Sequence, residues 1–239
     1  MHGPSDVRNW LVSGWSALGY ALLGKSVTNW VDCGHSTDAY CARMTDLKMF
    51  TEFDSDLLAD AFPQALRPEA IKAAEVILRK LHDKQWTERF EVHVGGEAVQ
   101  LPARLHFAPD GSVEELTGNL NLMVRCLQTR SHDGFQRQRA VRELLTDIRP
   151  WSAPFVTALI GEYVIEILHD IHAGLSQPVS EALAAFISVN PTYWERTQQR
   201  VTSYWDVYYR ADFRRSDYVG FKLVDALNVA VRTSSVQAD

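Results

Sequence analysis

The sequence predicts a mainly α protein that carries one small β-hairpin near residues 89–107. Three observations lead there. Six segments between residues 112 and 232 repeat apolar side chains at helical spacing. Proline, glycine or a capping residue punctuates each of them, as helix ends require. Residues 88–107 instead alternate apolar and polar side chains on both sides of Gly95-Gly96, the period of a strand folding back on itself.

The elements follow in order. A helix is expected from about Asp6 to Leu23 with Ser5 as cap, and another from Thr37 to Phe50 after Ser36. The apolar run at Trp10 is only about 15 residues long, too short to span a bilayer, and no Ala-x-Ala cleavage pattern follows it. Asp56 to Ala61 is expected to be a short helix stopped by Pro63, and Pro68 with Glu69 opens a longer one to about Lys80. In the hairpin, Phe90, Val92 and Val94 share one face, and Val99, Leu101, Ala103, Leu105 and Phe107 continue the alternation, with Pro102 demanding an edge or bulge.

Ser112 and Glu115 form a capping-box pattern for a helix to about Gln128. Further helices are expected over 134–147, 154–173, 178–189, 191–211 and 217–232. Alternate helices start near residues 113, 153 and 191, which suggests stacked helix pairs and one cooperative domain over residues 1–239. Residues 1–87 form its N-terminal helices and 112–232 its helix-pair array.

Composition limits function. At 46% hydrophobic and 23% charged, the 239 residues can bury a real core. The formal net charge of -6 argues against a general nucleic-acid or membrane-surface binder, which needs a clustered positive field. Acid gathers over residues 32–69, whereas Arg125, Arg130, Arg137, Arg139, Arg142 and Arg149 make residues 125–149 basic. A local basic groove there leaves a DNA-binding array as the weakest option. Three cysteines, Cys33, Cys41 and Cys126, make no disulfide framework and point to a soluble protein of a reducing cytoplasm. No phosphate-binding or dinucleotide-binding glycine motif is present, so no cofactor is expected.

Several residues could carry chemistry. Glu162, Glu166 and His169 fall on one face of the helix expected over 154–173, and Glu166-x-x-His169 has the ligand spacing of di-iron bundles, although no second copy exists in the chain. Cys33, His35, Asp38 and Cys41 could ligate zinc or supply a Cys-His nucleophile pair, but match no standard spacing. Tyr193, Trp194, Tyr204, Trp205, Tyr208 and Tyr209 with Arg196, Arg200 and Arg210 give one helix the residue types of binding hot spots.

Two resemblances add to this reading. Asp133-Gly-Phe-Gln-Arg137-Gln-Arg-Ala140-Val-Arg-Glu-Leu144 resembles the second helix of a HEAT repeat, with Arg137, Ala140 and Leu144 at the family's spacing and Gln136 where a Val is usual. That resemblance implies a curved helical array presenting a surface to a protein partner, and no chemistry. His132-Asp133 and His169-Asp170 resemble the His-Asp doublet of HD-type phosphohydrolases, which implies a divalent metal held by these residues with a late Asp206 or Asp225.

The function expected from the sequence is therefore a non-catalytic helical interaction or scaffold protein. Its candidate binding residues are Arg137, Arg139, Arg142, Trp194, Arg200, Tyr204, Trp205 and Tyr208. The alternative is a metal-dependent hydrolase drawing on His132, Asp133, Glu166, His169 and Asp170.

Overall fold

Helix-forming segments dominate the fold, as their periodicity predicts. The computed structural model describes residues 54–83, 85, 88–108 and 116–236. Every described residue belongs to one compact unit within 48–239. The helices expected over 6–23 and 37–50, and the Cys33, His35, Asp38 and Cys41 group, lie outside the described residues.

The first elements are α1 (Ser55–Ala59), capped by the Asp54 carboxylate, and α2 (Arg67–Leu78), opened by Pro68. Strands β1 (Arg89–Val94) and β2 (Glu97–Pro102) pair antiparallel, with Val92 opposite Val99. Gly95 and Gly96 turn between them at φ +60° and +86°, left-handed values that a tight hairpin turn favours and that glycine adopts at little cost.

Strand β2 stops at Pro102, earlier than the alternation to Phe107 suggested. Beyond it, Leu105 N–H donates to Arg130 O and Leu105 O accepts from His132 N–H, while Ala108 N–H donates to Lys80 O. Residues 105–108 keep an extended shape, but their partners are the segments that follow two helices rather than β1. Pro102 has no N–H to extend the ladder.

The remaining elements are α3 (Gly118–Gln128), α4 (Gly134–Thr146), α5 (Ala153–Ile160), α6 (Ile165–Ala173), α7 (Gln177–Val189), α8 (Pro191–Tyr204) and α9 (Val219–Val236). Helix α3 begins after Thr117, and the predicted cap Ser112 lies outside the described residues. All eight residues of α5 are buried, so this helix forms the centre, touching α3, α6, α7 and α8. A helix apolar on every side belongs in an interior. Helices α4, α6, α9 and α7 pack as successive neighbours around it.

The single helix expected over 154–173 is instead two. Gly161 ends α5 and Val164 precedes α6, leaving a four-residue break, 161–164. The apolar spacing runs unbroken through Ile160, Val164 and Ile167, which is why periodicity alone hides it. At the far end, α8 passes into a π-helical turn, Trp205–Tyr209, instead of continuing to residue 211. Among the described residues no helix is long and apolar enough to cross a membrane.

Candidate functional site

The break between α5 and α6 exists around Glu162. This carboxylate is 7% exposed and meets three guanidinium groups from three different segments. Arg104, in the extended stretch after β2, donates Nη2 to Glu162 Oε1 at 3.0 Å. Arg137, from the first turn of α4, places Nε 2.8 Å from Oε2, an ion pair without good hydrogen-bond alignment. Arg130, after α3, holds Nη1 3.6 Å from Oε1.

Each guanidinium also clamps backbone. Arg130 donates to the carbonyls of Pro102 and Ala103, Arg104 to Ser131 O, and Arg137 to Ser131 O and His132 O. Four pieces of chain that meet only through folding are thus tied to one acid. Burial pushes the Glu162 carboxyl up, but Arg104, Arg137 and Arg130 outweigh burial and hold it below the usual carboxylate value. Burial also lowers Arg130, to about 10, against the pull of Glu162. It stays charged at neutral pH.

One face of α8 closes over this cluster. Tyr193, Thr197, Arg200 and Tyr204 recur at the four-three-four spacing of a helical stripe. A Cβ at Gly161 would lie 3.3 Å from Arg200 Cδ and 3.4 Å from Thr197 Cγ2, so glycine lets α8 approach the break. Burial raises the Tyr193 and Tyr204 phenols; the field of Arg200 opposes that in both, joined by Arg130 at Tyr193 and by Arg104 at Tyr204. Both therefore remain neutral hydrogen-bond donors at neutral pH. Arg130 Nη1 and the Tyr193 hydroxyl are buried without a well-formed hydrogen bond among the described residues. Thr197 stands beside that hydroxyl but donates its own to the Tyr193 carbonyl.

Outside the cluster the surface turns aromatic. Tyr163, Tyr204 and Tyr208 form a triangle with ring centroids 5.8 to 6.1 Å apart. Tyr208 is 47% exposed and Val207 67% exposed. The π turn widens the helix and carries these two side chains outward, while Tyr209 OH donates to Tyr163 O and its ring stacks on Tyr218. Such turns are common at functional sites.

The residues singled out from the sequence divide unevenly. Arg200, Tyr204 and Tyr208 come together here. Trp205 is half-buried and donates its indole N–H to Phe213 O. Two expected surface residues are interior: Arg137 is 1% exposed and Trp194 5%, the latter donating to Asn228 Oδ1. Arg137 is drawn in by Glu162, and Trp194 occupies the core-facing side of α8. Arg139 and Arg142 are exposed on α4, Arg142 pairing with Asp170 at 2.9 Å.

The proposed hydrolase residues have separate duties. Asp133 caps α4, accepting from Phe135 N–H, and His132 Nδ1 accepts from Phe107 N–H at 3.2 Å while its ring stacks on His106. Asp170 accepts from Gln138 and Arg142, and Glu166 and His169 are exposed on α6. Glu162 no longer shares a helical face with them, because the break separates it from α6. Among the described residues no group of three or more His, Cys, Asp or Glu side chains could hold a metal ion.

Sequence reasoning missed Glu162 as a hub and Arg104 altogether. A glycine followed by an acid inside an otherwise apolar run was the available signal; the three arginines lie 25 to 58 residues from the acid in sequence and carried none. No protein-family model, curated protein or solved structure matches this chain.

Proposed function

We propose that this chain is a non-catalytic helical interaction protein whose partner docks on the π turn that ends α8. The observation that carries this reading is the tyrosine triangle of Tyr163, Tyr204 and Tyr208 beside the exposed Val207, at the end of α8. Aromatic rings give large contact area for little loss of side-chain freedom, and Tyr with Arg dominates interface hot spots. The helices behind supply a fixed platform, since Tyr209 ties the turn to the 161–164 break and to Tyr218. A reducing compartment fits the buried Cys126 thiol, whose pKa is raised well above its usual value by burial alone.

The test places a photo-crosslinking amino acid at Tyr208 and, as a control face, at the exposed Val229 of α9. The reading expects discrete adducts at position 208, lost on adding Val207→Asp. Equal labelling at both positions, or adducts indifferent to Val207→Asp, rules the docking face out.

A further inference from the structure

The cluster behind the docking face is short of negative charge. Leaving Arg104 aside, Arg130 and Arg137 share the carboxylate of Glu162, Arg200 packs against Gly161 beside it, and Asp133, felt weakly by Arg137, is already a helix cap. Arg200 is exposed and forms no ion pair among the described residues. Uncompensated charge in a low-dielectric interior is costly and projects a strong field toward the nearest solvent opening. This positive island sits in a chain of net charge -6, so its sign is local and deliberate in placement.

Resting on the interaction reading above, we propose that the face receives a phosphomonoester carried by the partner polypeptide, with Arg200 and the Tyr204 hydroxyl as its surface contacts. Two arguments favour phosphate over carboxylate. The local excess is two positive charges, and a phosphomonoester brings about -1.5 to -2 at neutral pH where a carboxylate brings one. Its three oxygens accept from several donors at once, matching a guanidinium fork plus a phenol. Arg130 and Arg137 do not touch the ligand; from their buried positions they hold the potential that selects a dianion. The tyrosine triangle alongside accepts an adjoining aromatic or aliphatic group.

Phenyl phosphate is the probe, with phenylacetate as the matched carboxylate and sodium chloride as the ionic-strength control, titrated into the full chain and followed by NMR at the Arg200 Nε–H and Tyr204 ring signals. Saturable shifts with phenyl phosphate are expected, about tenfold weaker binding in Arg200→Ala, partial recovery in Arg200→Lys, and no change in Arg139→Ala. Phenylacetate should bind at least about tenfold more weakly, the factor one lost charge-assisted contact gives. Equal binding of phenylacetate, equal shifts with sodium chloride at matched ionic strength, or indifference to Arg200→Ala each overturns the proposal. Thermal melting of each variant checks that it is folded. The crosslinking at Tyr208 is read without any phosphate compound, so the docking reading and the phosphate reading can fail separately.

Discussion

Asn190 and Glu162 are both buried polar joints, each 7% exposed and each sitting where one helix gives way to the next. They solve the same problem differently. Asn190, between α7 and α8, accepts from His93 N–H at 2.8 Å and donates to His93 O and Phe186 O, both at 2.9 Å. Its amide imitates one rung of a strand and fastens the hairpin to a helix pair 97 residues away. Every donor and acceptor has a neutral partner within reach, and no charge is buried. Glu162, between α5 and α6, holds more chain together but does so with one anion that Arg130 and Arg137 both face, Arg104 aside. A joint needed only for stability has no reason to leave positive charge in excess, because apolar packing or a neutral amide would serve at lower cost. The difference separates a purely structural joint from one whose field reaches a surface.

The largest expected effect is at Glu162. Glu162→Gln keeps the shape and removes the carboxylate that faces Arg130 among the described residues, so it should cost about 3–5 kcal/mol in urea unfolding, the usual penalty for orphaning a buried charge. The folded carboxyl titrates below its ordinary value, so the wild-type stabilisation is present above the unfolded pKa and is lost as pH falls through the folded one. The Gln variant should show a shallower acid limb. A loss under about 1 kcal/mol would mean the arginines are already neutralised by other groups.

Asn190→Ala comes next. Removing the amide leaves His93 N–H and two carbonyls unsatisfied, for a loss of about 2–3 kcal/mol. Hydrogen exchange locates it: the His93 amide should exchange much faster, while amides of α5 speed up only as far as global stability falls. Asn190→Asp keeps the acceptor for His93 N–H but turns a carboxylate oxygen toward two carbonyls, and should be no better than Ala.

The two joints also differ in how visible they are in the sequence. The helix ends were legible because their signals are local: Pro68, Asp133, Pro191 and the Gly95-Gly96 turn act within a few residues of themselves. Asn190 lies directly before Pro191 and reads as a helix boundary, though its bond to His93 does not. The Glu162 joint was hidden. Val156, Ile160, Val164, Ile167 and Ile171 keep helical spacing straight through the break, because the chain resumes the same buried side after four residues. Arg137 carries the signature of a surface residue, since a charged side chain is ordinarily exposed unless paired. Its partner is 25 residues away, and nothing near Arg137 in the chain announces it.

A third, smaller effect belongs to the segment that carries Arg104. His106 follows it and stacks on His132 at 5.3 Å. Its pKa is lowered, first by burial and then by His132, Arg104 and His82. A histidine depressed in the fold binds its proton more readily when unfolded. Its contribution is therefore complete above the ordinary value of 6.5 and is lost as pH falls from there through the folded pKa. His106→Gln should flatten the stability profile below neutral pH without altering the acid limb set by Glu162, and matching profiles for the two chains would contradict this.

The smallest effect on stability is expected where the effect on binding should be greatest. Val207→Ala and Tyr208→Ala remove exposed side chains from the π turn, and neither side chain fills a core cavity. Each should change unfolding free energy by no more than about 0.5 kcal/mol. Glu162→Gln, by contrast, lowers stability and, by removing the anion that offsets the arginines, should strengthen phenyl phosphate binding in whatever fraction remains folded. Stability and anion affinity thus move in opposite directions at the joint and independently at the rim. Were Tyr208→Ala to destabilise as strongly as Asn190→Ala, the tyrosine triangle would be a structural seal like the other joint, and the distinction between the two ends of α8 would disappear.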